Sequence, residues 1–119
     1  MKVREQIHTF LIEFKKVVTQ GSGVMLVPRH DSKVTLSHLG ITKRNLEEIL
    51  LTLSVDNYSS GPEADKDKGG DIWVFGKQIR GYEIYIKLKV AEVSGTKIAK
   101  CISFHIAKHP MEYPCKTSE

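Results

Sequence analysis

The chain has 119 residues, 40% hydrophobic and 27% charged, with 18 Lys and Arg against 14 Asp and Glu, a formal net charge of +4 and 2 cysteines. That length supports one domain, 1–119, with one core burying roughly two thirds of the unfolded chain's surface; the modest basic excess permits an anionic partner without demanding one. No apolar run approaches the roughly 18 residues needed to cross a bilayer, so no membrane partner is expected, and Cys101 and Cys115, behind no charged-then-apolar leader, read as reduced thiols of a cytoplasmic protein.

Val3, Ile7, Phe10, Leu11, Phe14, Val17 and Val18 recur at spacings of three and four, the stripe of an amphipathic helix that Gln20-Gly21-Ser22-Gly23 stops. Val24 to Val27, closed by Pro28, fits either a brief edge strand or a packed loop. Asp31 or Ser32 is placed to cap a short helix through about Leu39, which Gly40 ends. Thr42 suits the N-cap of a further helix, with Leu46, Ile49, Leu50 and Leu53 as its buried stripe and an end near Ser54. The stretch from 55 to 70, rich in Ser, Gly, Asp and Pro, reads as a long mobile loop with little to bury.

From Asp71 to Lys108, three runs of Ile, Val, Phe, Tyr and Trp are separated by glycine-bearing turns at Gly76 to Gly81 and at Ser94-Gly95, the pattern of an antiparallel meander. In the middle run Ile84, Ile86, Leu88 and Val90 share one parity and Glu83, Tyr85, Lys87 and Lys89 the other. Strict alternation in the last run puts Ile98, Ile102, Phe104 and Ile106 on the core side. Lys97, Ala99, Cys101, Ser103 and His105 then fall on the other. Residues 107–119, with two prolines and no periodicity, read as an extended tail along the body. The element order predicts an α+β fold: an antiparallel sheet of three or more strands with two or three helices packed on one face.

Cys101, His105, His109 and Cys115 look like a ligand set as letters, but strand positions 101 and 105 lie roughly 13 Å apart, too far to share one ion. Phosphate-loop glycine patterns are missing. Neither a metal nor another cofactor is therefore expected. What remains is the polar sheet face, where Tyr85, Lys87, Ser103 and His105 gather and Lys89 continues the row. Such a set suits cleavage of RNA without metal: the ribose 2′-hydroxyl is the nucleophile, His105 moves a proton as general acid or base, and Tyr85 and Lys87 orient and neutralise the phosphate. Trp73 and Tyr85 are candidates to stack on bases, and Arg29 and Lys33, in the densest basic cluster outside the sheet, are candidate backbone contacts. The alternative is a binding module that contacts RNA or protein through the same face and cleaves nothing.

Ser60-Gly61-Pro62, Trp73-Val74-Phe75-Gly76-Lys77, Tyr85-Ile86-Lys87-Leu88 and Cys101-Ile102-Ser103-Phe104-His105 together resemble a branch of the MqsR family of toxins from type II toxin–antitoxin systems, over roughly residues 35 to 114. The resemblance implies a RelE-like fold, ribosome-independent cleavage of messenger RNA and neutralisation by a cognate antitoxin protein. The family's strand tyrosine falls on Tyr85. The lysine after its Asp-aromatic-Tyr element falls on Ser59, the glutamine after its tryptophan on Val74, and its late Ser-Phe-Lys reads Ser103-Phe104-His105.

Overall fold

The computed structural model describes residues 2–117. Among these, three α-helices, α1 (Lys2–Gln20), α2 (His30–Leu39) and α3 (Lys43–Leu51), accompany five strands: β1 (Val24–Leu26), β2 (Tyr58–Ala64), β3 (Asp71–Ile79), β4 (Tyr82–Val93) and β5 (Thr96–Ile106). They form a single sheet in the order β1-β5-β4-β3-β2. The fold is α+β, and the sheet is mixed, because β1 joins the edge parallel to β5 while every other pairing is antiparallel. Among the described residues no helix is long and apolar enough to cross a membrane.

The apolar stripe of α1 buries Ile7, Phe10, Leu11, Phe14 and Val18, which join Leu39 of α2, Leu46 and Leu50 of α3, and Trp73, Phe75, Ile84, Ile86, Leu88 and Phe104 of the sheet in one core. Helix α3 starts as its sequence implies: the Asn45 amide donates to the Thr42 hydroxyl while the Thr42 amide donates to the Asn45 side chain, 3.1 Å each way. It ends at Leu51, short of Ser54, and Leu53 is buried beyond it. Helix α2 departs from the expected cap. Arg29 occupies the N-cap in extended conformation without a side-chain bond, because the Ser32 and Thr35 hydroxyls are turned onto β5, accepting from the amides of Phe104 (3.1 Å) and Ile106 (3.2 Å). Strand β1 reaches only as far as Cys101, so α2 satisfies the edge of β5 that β1 leaves open.

Two turns close the meander. Arg80-Gly81 (φ 53° and 87°) and Ser94-Gly95 (φ 51° and 81°) both have positive φ at the two central residues, the hairpin geometry that matches strand twist and that glycine supplies without strain. The first turn is thus two residues long, and Gly76 lies inside β3.

The parity expected for β5 holds only at its C-terminal end. Lys87 pairs with Ser103, but Leu88 pairs with Cys101, so Ile102 is an extra residue on β5. Such a bulge moves every side chain before it to the opposite face. Ala99 and Cys101, fully buried, therefore belong to the core, whereas Ile98 and Ile102 turn toward the polar face with Lys100. Phe104 and Ile106 stay on the core side, and Ser103 and His105 on the other. Burial pushes the Cys101 thiol up to about 12, so it is an inert packing residue.

The stretch from 55 to 70 is not the single long loop its composition predicts. Val55–Asn57 is a 3₁₀ turn, and Tyr58–Ala64 pairs with β3 (Tyr58 opposite Phe75, Ala64 opposite Asp71) with two register shifts between. Only 65–70 is loop, and it is tied down: Asp65 Oδ1 accepts from the amides of Asp67 and Lys68, and Asp65 Oδ2 accepts from Lys89 Nζ at 2.7 Å. Lys89, with these turn amides, holds the Asp65 carboxyl down at about 2, against 3.8 ordinarily. A depressed carboxyl stabilises above its unfolded value and loses that contribution as pH falls toward its folded one. The loop is therefore expected to stay fastened above about pH 4 and to loosen toward pH 2, seen as a loss of protection at the Lys68 amide in pH-dependent hydrogen exchange. Loss of protection already near pH 6 would contradict the latch.

Candidate functional site

The face of the sheet turned away from the helical core carries the site. Tyr85 and His105 are direct cross-strand partners, and their rings stack with centroids 5.1 Å apart at 15°. Lys87, two residues along β4 on the same face, sits with Nζ 5.9 Å from the Tyr85 centroid, within cation–π range. Ser103 lies opposite Lys87 and is buried. His105 Nδ1 is 2.9 Å from the Ile106 carbonyl oxygen. A carbonyl only accepts, which assigns the proton to Nδ1 and leaves Nε2 free to exchange a proton with a ligand.

These side chains line an open cleft of about 630 Å³, shared with Arg29 and Asp31 from the start of α2, Ser59 and Ser60 of β2, Val74 of β3, and residues 107–112 of the tail. Asp31, a candidate helix cap by sequence, and Lys108 are not among the site residues that the sequence points to. They are brought here by the docking of α2 on β5, a tertiary event with no local sequence signal. Lys108 Nζ lies 3.0 Å from Asp31 Oδ2; this contact, with smaller contributions from His105 and His30, holds the Asp31 carboxyl below its usual range.

Other candidates are placed elsewhere. Trp73 is on the core face, 6% exposed and stacked on Phe10 of α1 at 5.2 Å, so it does not meet Tyr85 and has no open ring face on this side. The one-residue offset from Val74, which does line the cleft, decides this. Lys33 is exposed on α2 and is not among the residues lining the cleft. Lys89 shares the face of Lys87 but is only 3% exposed, covered by the loop that Asp65 pins to it. Among the described residues, no three or more His, Cys, Asp or Glu side chains gather in a way that could hold a metal ion.

The tail forms one wall of the cleft. It leaves β5 and crosses β4 and β3: Glu83 accepts from the Met111 amide (3.1 Å) and the Tyr113 hydroxyl (2.7 Å). Burial and then the Glu83 carboxylate raise the Tyr113 phenol well above its usual range. Farther on, Arg4 of α1 donates to the Cys115 carbonyl at 3.0 Å. Gly76 leaves room for this crossing, since a Cβ there would run into the Tyr113 hydroxyl and Met111 Sδ. Gly76→Val is expected to dislodge the tail while β3 stays paired, exposing the Met111 amide to exchange. A Met111 amide as protected as in the parent would contradict this role.

No family model matches the chain, and no curated protein or solved structure matches it either.

Proposed function

We propose that the protein is the toxin of a type II toxin–antitoxin system, an endoribonuclease that cleaves messenger RNA in the cytoplasm and is neutralised by a cognate antitoxin. The observation that carries this is the convergence of Tyr85, Lys87 and His105 in one open cleft, with His105 Nε2 making no hydrogen bond among the described residues. The resemblance to MqsR toxins, carried partly by the same residues, also supports it: positions 59, 74, 85 and 105, onto which the family's functional residues map, all line that cleft.

In the proposed reaction the ribose 2′-oxygen attacks the adjacent phosphorus. The 2′-O–P bond forms as the P–O5′ bond breaks, leaving a cyclic phosphate and a free 5′-hydroxyl. His105 Nε2 takes the 2′-hydroxyl proton while water protonates the leaving 5′-oxygen, or the doubly protonated ring supplies that proton while water takes the one on the 2′-hydroxyl. Lys87 neutralises charge developing on the phosphoryl oxygens, and the Tyr85 hydroxyl orients them. Of the three family positions that differ here, Ser59 and Val74 contribute no charge and His105 stands in place of a lysine, so the electrostatic load falls on Lys87 and its basic neighbours.

Expression without an antitoxin is expected to arrest growth and to leave cut messenger RNA, and the purified protein to cut RNA without added metal. Binding to RNA is expected to weaken steadily with salt as Lys87 and its neighbours release counterions from phosphates. Normal growth with soluble, folded protein would remove the toxin. Salt-sensitive binding without cutting would leave a binding module on the same face.

A further inference from the structure

Beside the main cleft, and sharing Arg29 and Lys87 with it, lies a smaller one of about 230 Å³. Its floor is the bulge region: Lys89 and Lys100 are direct cross-strand partners on the same face. Like charges in that arrangement repel and destabilise a sheet. One of the two is nearly sealed from solvent, because Lys89 is 3% exposed with Asp65 its only ion-pair partner among the described residues. Lys68 adds a further cation from the loop, against Asp65 and Asp67. Cations therefore outnumber carboxylates around a small cavity whose deepest group is a lysine, an arrangement suited to an anion. Lys87 and Lys89 stand two residues apart on one strand face, about 6.6 Å along it, comparable with the separation of successive phosphates on an extended nucleic-acid strand.

We propose that this smaller cleft is a second phosphate subsite, in which Lys100, Arg29 and Lys89 hold the phosphate next to the one at His105 on single-stranded RNA, and that the Asp65 carboxylate is the counterion which that phosphate displaces. The assignment rests on the RNA-cleaving role proposed above. Asp65 is suited to exchange: it sits on a loop, it engages Lys89 through Oδ2 alone, and its Oδ1 bonds to the Asp67 and Lys68 amides hold the turn together without Lys89. An asparagine at 65 keeps those Oδ1 bonds and removes the competing charge.

The test uses the full chain and uncleavable 2′-O-methyl oligoribonucleotides: a dinucleotide with a single phosphodiester and a hexanucleotide. Lys100→Gln is expected to weaken hexanucleotide binding roughly tenfold at low salt and to lower the salt slope by about 0.7. Dinucleotide binding should be unchanged, and Lys100→Arg should restore the loss. Asp65→Asn is expected to tighten the hexanucleotide several-fold. Parent-like hexanucleotide binding by Lys100→Gln, or equal losses with both ligands, would overturn the subsite. If the parent binds neither oligonucleotide, the RNA role fails, and inorganic pyrophosphate decides the anion site separately. Shifts of the Lys89 and Lys100 amides that grow in Asp65→Asn would uphold an anion site without RNA. Their absence would remove both.

Discussion

Replacing His105 with glutamine is expected to slow RNA cleavage by at least about 10²-fold, the lower end of what a positioned general acid or base contributes, with fold and RNA affinity nearly unchanged. Glutamine keeps a polar side chain at the strand position but exchanges no proton near neutral pH. The fold should tolerate it because His105 is only half-buried and its backbone is held independently: Phe104 and Ile106 on either side donate to Ser32 and Thr35 of α2. Single-turnover cleavage under saturating enzyme reads the chemical step directly. Tyr85→Phe serves as the companion, since it keeps the ring stacked at 5.1 Å on His105 and removes only the hydroxyl. A parent-like rate for His105→Gln, with cutting abolished by changes at Tyr85 and Lys87, would keep the cleft and assign the proton to another group, with Asp31 and Lys108 on its rim the first to examine.

The largest stability effect is expected one residue away. Phe104 has no exposed surface and packs opposite Ile86 in the centre of the sheet. Truncating such a side chain removes its transfer free energy and leaves a cavity, about 3–5 kcal/mol for Phe→Ala, against a total of about 5–15 kcal/mol for a domain. Phe104→Ala should therefore lower the melting temperature by on the order of 10–20 °C, while Phe104→Leu, which keeps most of the volume, should cost less. Urea unfolding of the three proteins measures this, and a loss under about 1 kcal/mol for Phe104→Ala would mean the core closes over the gap. Ser103 and His105 flank Phe104 on the opposite face, so the same strand positions anchor the core and present the site.

Much of this was legible in the sequence. The stripe from Val3 to Val18, the Thr42 cap and the alternation of Ile84, Ile86 and Leu88 with Tyr85, Lys87 and Lys89 each depend on neighbours within a turn or a strand, where periodicity reports burial directly. Parity also gathers Tyr85 and His105 on one face once β4 and β5 are adjacent, while their direct pairing is set by the register of the two strands. Three features were not legible. Ile102 and Cys101 exchanged faces because a bulge is an extra residue relative to a partner strand, and nothing within β5 marks it. The sequence of β2 reads as loop because Ser-Ser-Gly-Pro has low strand propensity; its pairing comes from the open edge of β3, and an edge strand buries little of its own surface. By sequence Gly76 reads as part of a turn, although it lies inside β3 beneath a tail segment from more than thirty residues downstream.

The division follows the range of the forces involved. Local spacing, capping and alternation determined, from the sequence by itself, that this is an α+β domain whose sheet turns a face of Tyr85, Lys87 and His105 away from the core. Long-range docking decided everything that needed two distant segments to meet: α2 completing the edge of β5 and bringing Asp31 to the cleft, the Asp65 loop closing on Lys89, and the tail walling the cleft through Glu83. Those contacts join residues dozens of positions apart, and each depends on the sheet already being formed, so no window of sequence contains the pair whose attraction selects them.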